Sequence, residues 1–330
     1  MSTDALASNP LRVLVTGAST PLGRALVKRL LQTANVETIL CACASSEDDV
    51  ARTFRDEPRV HAIRCDLRRE RDVRSMLFGP ARAHKINAVV DGARHRSIDA
   101  EGPRVRALNV EATRELLHLC ERHESVRHYL LVSSAAVYRA DGSSADVVDE
   151  EHPLDFRPEA PQWRRDRVEV DVSACVRMGM SPLRITVLRM AELFAEDSGS
   201  QLWDYLRTRV CLRPMGYDPM LELLTIDDAA RAIALALTSR AQGIFNVRGR
   251  DVLPLSTLIA RAGRDEIALP GPMLAPLYAL RRRVTRLSFR YDVNRERLHN
   301  NCVLDGRRAL RELGYEPVER VDFGAVPPPI

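Results

Sequence analysis

The sequence predicts an α/β protein: a doubly wound parallel sheet with a smaller C-terminal lobe. Three observations predict it. Short apolar, β-branched runs alternate with helical patterns through the first half of the chain, and the runs are nearly continuous, as strands buried on both faces of a parallel sheet are. The first run passes through a turn holding Gly17 and Gly23 directly into a helix. After about residue 190 the regularity weakens. This divides the chain into 1–190 and 191–330, with the chain crossing between the two parts.

The elements follow in order. Arg12–Thr16 reads as the first strand and Leu22–Leu31 as the helix after it. Strands follow at Glu37–Cys43, Arg59–Cys65, Ala88–Asp91 and His128–Ser133, separated by helical patterns that include Asp72–His84 and Pro103–Arg122. Alternating β and α elements imply right-handed crossovers. Ala140–Pro161 is rich in Asp, Glu, Ser and Pro and reads as a long loop. A helix over Gln162–Met178 and a strand over Leu183–Leu188 come next. The short elements beyond them, a helix at Asp227–Leu237, a strand at Gly243–Val247 and a helix at Ser256–Ala262, belong to a lobe expected to have no core of its own. The terminal VPPPI reads as a tail.

Residues 11–30, LRVLVTGASTPLGRALVKRL, carry the strongest functional signal. A helix N-terminus offers free N–H groups and partial positive charge to a pyrophosphate, and glycines let the backbone turn and approach it. The turn is Rossmann-like and points to a dinucleotide held by Gly17, Ser19, Thr20, Pro21, Leu22 and Gly23. It departs from the three-glycine fingerprint, because Thr20 stands where a middle glycine would sit. The alternative is an ordinary strand–helix turn.

Composition narrows the classes. The chain of 330 residues is 45 % apolar and 28 % charged, enough to bury a core without disulfides or metals. The net charge of +4 is spread along the chain and aromatics are few, which argues against a nucleic-acid partner. Only Lys28 and Lys85 are lysines; the other 47 basic residues are arginines. Seven cysteines (Cys41, Cys43, Cys65, Cys120, Cys175, Cys211 and Cys302) occur without any C-x-x-C, so neither a disulfide framework nor a metal site is expected. His118, His123 and His128 recur every five residues, off any single helical face, and read as surface or structural. MSTDALASNP lacks the features of a signal peptide and no run approaches a membrane span, so a cytoplasmic location is expected.

Several patterns, in order, resemble the extended short-chain dehydrogenase/reductase family, the NAD-dependent epimerase/dehydratase group. VLVTGASTPLG resembles its cofactor turn; Cys65-Asp66-Leu67 resembles the pair after the third strand, where the aspartate meets adenine; Asn87–Ala93 resembles the fourth strand and its turn. Asn109 in ALNVEATRELL resembles the family's helix asparagine, and LLVSSAAVY, Leu130–Tyr138, its fifth strand, with Ser133 beside the cofactor and Ser134 at the catalytic serine. LLTIDDAARAIALAL, GIFNVRGRDVLPLSTLI and LDGRRALRELGYEP resemble signatures of the C-terminal part. The resemblance implies NAD or NADP as cofactor, contacted by Gly17, Ser19, Thr20, Pro21, Leu22, Gly23, Asp66, Leu67, Ala93, Asn109, Ser133 and Arg167.

The resemblance breaks at the catalytic helix. The family's Tyr-x-x-x-Lys falls on Trp163 and Arg167, with Asp171 at the acidic residue that usually follows. None of the seven tyrosines has a lysine four residues on. An indole N–H donates only and does not ionise in this range, and an acid–base group typically supplies about 10²–10⁴-fold in rate. Arg167 keeps a charge for ribose hydroxyls or phosphate oxygens. Arg164 and Arg165 read as a solvated helix face, Trp163 as a pocket wall. For Ser134, a strand-end cap is the alternative. The second strand ends without the acid or arginine that marks NAD or NADP; Ser45, Ser46 and Arg52 are the residues nearest that position.

The leading expectation is a non-catalytic sensor, scaffold or partner subunit that binds a dinucleotide or a nucleotide-linked small molecule. The rivals are an active enzyme on a sugar-nucleotide, sterol or other alcohol that uses another acid, such as Asp166 or Tyr138, and an interaction protein with an empty cleft. The resemblance implies pairing through the helices after the fourth and fifth strands, and Pro103–Arg122 and Val168–Met178 carry apolar residues at helical spacing, so a homodimer is expected. Residues 272–290 combine an apolar start with five arginines. They read as a membrane-surface helix, as a diphosphate site with Arg295 and Arg297, or as a solvated helix.

Overall fold

The computed structural model describes residues 10–44, 48–140, 147–285 and 288–327; Ser45, Ser46, the first nine residues, Arg286 and the last three residues lie outside them. The chain opens β1 (Leu11–Thr16), α1 (Pro21–Leu31), β2 (Val36–Cys43), α2 (Asp48–Thr53), β3 (Val60–Arg64), α3 (Glu70–Met76), β4 (Ala88–Asp91), α4 (Pro103–Arg106), α5 (Ala112–Arg122), β5 (His128–Ser134). Wide π-type turns at Leu77–Ala81 and Ala107–Glu111 carry α3 and α4 onward. It continues β6 (Val147–Val148), α6 (Gln162–Cys175), β7 (Arg184–Met190), β8 (Glu192–Leu193), α7 (Gln201–Leu206), β9 (Val210–Pro214), β10 (Met220–Leu224), α8 (Ile226–Ser239), β11 (Gly243–Val247). It closes β12 (Asp251–Pro254), α9 (Leu255–Arg261), β13 (Asp265–Leu269), α10 (Gly271–Thr285), α11 (Tyr291–Asn294), β14 (Val303–Leu304), α12 (Arg307–Leu313).

The main sheet has seven parallel strands in the order β11-β7-β5-β4-β1-β2-β3. Strand order reverses between β1 and β4, the switch point where such sheets bind ligands. Apolar cores cover both faces, one built mainly with α1 and α8, the other with α3, α5 and α6. The last strand lies past residue 190, so the chain leaves the sheet after β7 and returns at β11. The apolar residues of α5 and Val170 and Ala174 of α6 face this second core, Val168 of α6 packs into the first, and ion pairs run outside them, Arg106 and Arg114 to Glu169 and Arg177 to Glu121.

The expectation of a second lobe without its own core is corrected. Phe194, Leu202, Trp203, Tyr205, Leu221, Leu258, Tyr278 and Tyr291 share a separate buried cluster. It is assembled from short strands, β12-β10-β8 and β13-β9, whose partners are distant in sequence, so no local period announces it. α10 turns Leu274 and Tyr278 inward and leaves Met273, Leu280 and Val284 exposed. Among the described residues, no helix is long and apolar enough to cross a membrane.

Candidate functional site

A cavity of about 280 Å³ lies at the C-terminal ends of β1, β4, β5 and β7, closed on its far side by the smaller lobe. Thr20, Pro21 and Leu22 bring the start of α1 to its rim; Gly92, Arg94, Ser133, Ser134, Trp163 and Arg167 line it from the large sheet; Glu192, Glu222 and Arg297 line it from the other side. Of the residues expected at the site, the cavity gathers Thr20, Pro21, Leu22, Ser133, Ser134, Trp163 and Arg167. Gly17, Ser19, Gly23, Asp66, Leu67, Ala93 and Asn109 are not among its lining.

The glycine turn is built by close packing. Gly17 has φ +71°, and a Cβ there would sit 3.1 Å from the Ala93 Cα. A Cβ at Gly23 would meet the Gly17 carbonyl oxygen at 2.3 Å. Thr20 is the N-cap of α1: its hydroxyl accepts from the Gly23 N–H (3.0 Å) and donates to the Gly17 carbonyl (2.8 Å). Pro21 has no N–H. The helix start keeps the backbone shape of a phosphate cradle, but Thr20 holds one of its donors, and Arg24 reaches the Ser19 carbonyl (2.5 Å). The shape therefore fits a dinucleotide, with fewer free N–H groups than the three-glycine turn would leave.

Thr16 clamps the switch point. Its hydroxyl donates to Asp91 (3.1 Å) and accepts from the N–H groups of Gly92 and Ala93 (3.1 and 3.2 Å). Asp91 also accepts from Tyr129 (2.6 Å) and pairs with Arg94 (3.0 Å). Burial pushes the Asp91 carboxyl up, but Arg94 and these hydrogen bonds hold it below its ordinary value. Asn109 serves the same loop: it accepts from the His95 N–H (2.9 Å) and donates to buried Asp166 (3.2 Å). Asp66 is gripped at both oxygens by Arg68 (2.8 and 2.9 Å), and Leu67 is part of the core. Arg52 pairs with Asp49 (2.6 Å).

The expected acid–base candidates are placed in other work. The Ser134 oxygen accepts from the Ala136 N–H (3.2 Å), capping a short 3-10 turn. Ser133 donates to Asp171 (2.5 Å), and Asp171 is locked to Arg189 (2.6 Å) in a fully buried ion pair. The Tyr138 hydroxyl donates to Asn246 (2.6 Å), and burial raises its pKa beyond the ordinary phenol range. Asp166 is buried among Asn109, Gln162 and Arg106.

Trp163 and Arg167 share the first turns of α6, and the Arg167 guanidinium lies 5.1 Å from the indole centroid. Burial, with Arg94 and Arg164 nearby, pushes the Arg167 pKa down to about 10. The solvated-face reading of Arg164 is corrected: it bonds Asp155 (3.0 Å) and Glu296 (2.8 Å), which also hold Arg157. Its partners are distant in sequence, so a helical pattern could not reveal them. Arg165 is exposed. Arg297 pairs with Glu192, whose carboxylate also accepts from the Leu202 N–H (2.9 Å); Arg295 is exposed. Sequence reasoning missed Arg94, Glu192 and Glu222. Arg94 alone had a signal, its position directly after the fourth strand and its turn.

The sequence matches the profile of the NAD dependent epimerase/dehydratase family over residues 13–247. An uncharacterized protein of Mycobacterium tuberculosis (strain ATCC 25618 / H37Rv) is 31 % identical over 324 residues, covering 93 % of this chain and 80 % of that protein. Among solved structures, UDP-glucuronic acid 4-epimerase from Bacillus cereus, in complex with UDP-glucuronic acid and NAD, superposes with TM-score 0.70 at 16 % identity, over 96 % of this chain and 99 % of that one. dTDP-glucose 4,6-dehydratase from Bacillus anthracis, in complex with NAD, superposes with TM-score 0.68 at 17 % identity, over 93 % and 91 %. The profile match spans most of the main sheet and the turn at the switch point, and the chain belongs to the NAD-dependent epimerase/dehydratase family.

Proposed function

We propose that this chain binds a nicotinamide dinucleotide, NAD or NADP, and recognises a ligand without the family's hydride chemistry. The glycine turn and the start of α1 would hold the pyrophosphate, and Ser133 and Arg167 the nicotinamide end; when bound, the cofactor supplies a hydride acceptor. The observation that carries the reading is Trp163 stacked with Arg167 in the cavity wall. We read these two as standing at the family's Tyr and Lys positions. The indole cannot exchange a proton. The guanidinium stays protonated at neutral pH even with its pKa near 10. The Tyr138 hydroxyl donates to Asn246, and the Ser134 oxygen caps the turn at Ala136, so neither is paired with a base. The NAD carried by the superposed epimerase and dehydratase supports the choice of cofactor.

The test is a thermal shift with NAD, NADH, NADP and NADPH at millimolar concentration, beside turnover assays on sugar nucleotides. A stabilising shift with at least one nucleotide and no turnover is expected. The double variant Trp163→Tyr with Arg167→Lys should then introduce turnover. If instead it destroys an existing activity, the native pair has chemistry of its own and the proposal fails.

One observation favours an active enzyme as the second reading. Glu222 lines the cavity, and burial pushes its carboxyl up to about 7, a value suited to proton exchange near neutrality. Both its oxygens, however, accept backbone N–H groups, from Gly249 (2.9 Å) and Leu304 (2.8 Å).

A further inference from the structure

Three donors on the first turns of α6 lack acceptors. The Trp163 indole N–H and the Arg164 Nε are buried and unpartnered. Among the described residues, Arg167 has no carboxylate partner; its neighbours are the Trp163 ring and two more guanidiniums, Arg94 and Arg164. The carboxylates on the other walls are committed: Glu192 to Arg297, Glu296 to Arg157 and Arg164, and Glu222 to two backbone N–H groups. Asp197, the remaining carboxylate of the lining, forms no ion pair with Arg167. The Arg167 guanidinium is half-buried in the cavity wall among like charges, and such a charge is costly to hold without a partner. Among the described residues no carboxylate offsets that cost, so the balance points to a ligand. The planar fork of arginine matches the oxygens of a carboxylate or phosphate.

We propose that the cavity receives an oxyanion, a carboxylate or phosphate group of a small organic ligand, on the Arg167 guanidinium. Trp163 forms the wall against which that guanidinium is stacked, so the anion meets a positioned fork. The site lies at the sheet end of the cavity, opposite the Glu192–Arg297 pair. The inference deepens the proposed reading of the cavity as a recognition site and rests on it.

The experiment compares wild type, Arg167→Met and Arg167→Gln in thermal shift and tryptophan fluorescence, with sodium phosphate and sodium succinate each titrated against sodium chloride at matched ionic strength. Wild type should gain roughly 2–4 °C over the chloride control at about ten times the dissociation constant of the better anion. Both variants should lose that gain. In the absence of anions at least one of them should melt at or above the wild-type temperature, because an unpaired, half-buried charge has been removed. A phosphate response without succinate assigns a phosphorylated ligand, and the converse assigns a carboxylate. An equal response to chloride, or an anion response that survives in both variants, overturns the inference. So does a lower melting temperature in both variants, which would assign Arg167 to packing on Trp163. NAD and NADP shifts measured alongside on the wild type, where Arg167 is intact, report on the nucleotide reading separately. If they persist while the anion response is absent, only this inference fails; if they too are absent, the proposed function fails with it.

Discussion

Gly23 shows how a single residue sets the site. The sequence marks it as one of two glycines in a turn, but the reason for glycine is the 2.3 Å that would separate an added Cβ from the Gly17 carbonyl oxygen. That neighbour is backbone and cannot rotate away. Gly23→Ala is expected to destabilise the fold by about 1–3 kcal/mol, the range for overpacking, read from urea unfolding midpoints. Gly79→Ala is the control: no atom lies within 4 Å of the place its methyl group would take, so its midpoint should hold or rise. Equal losses at the two positions would show that packing against the turn is not what Gly23 provides. Asn109 and Asp66 illustrate the opposite case. Their residue types match the family pattern, yet their side chains are spent on a loop N–H and on Arg68.

At the level of elements, α1 is the informative one. Thr20 caps it and Pro21 opens it, which makes a good helix start by any local rule. The same cap draws the Gly23 N–H away from a bound phosphate. Thr20→Gly should cost the fold only a few tenths of a kcal/mol. It should tighten dinucleotide binding by about tenfold or more, the scale of one hydrogen bond to a charged group. Isothermal titration of the two proteins decides it, and unchanged or weaker affinity would show that the hydroxyl does not compete with the ligand. Local rules also found the strands of the main sheet. They missed β9, β10, β12 and β13, whose stability comes from pairing across long separations and not from a pattern within each strand.

The whole molecule is held together across its lobes by buried polar links, and Glu222 is one of them. From β10 it accepts from Gly249, just past the last strand of the main sheet, and from Leu304 in β14. Burial raises its pKa from 4.5 to about 7. A carboxyl whose folded pKa lies above its unfolded value contributes stability that is fully present below the unfolded value and is lost as pH rises through the folded one. Stability should therefore fall by roughly 2–3 kcal/mol between about pH 4.5 and 7 on this account, and no further above it. Asp155, which burial pulls up but Arg157 and Arg164 hold down to about 2, acts at the acid end. Urea unfolding across this window should show a flatter profile for Glu222→Gln than for wild type; parallel profiles would rule out Glu222 as the source. The sequence by itself determined six strands of the main sheet, the helix start at the switch point and the family, because each is written in short-range periodicity and in motifs whose order survives substitution; it assigned the seventh, β11, to the smaller lobe. Only the tertiary structure decided which of the matching residues face the cavity, that the smaller lobe has its own core, and that, among the described residues, Arg167 lacks a counter-charge while Arg164 has two. Burial and ion pairing depend on partners as far apart as Arg164 and Glu296, and no local pattern in a chain carries that information.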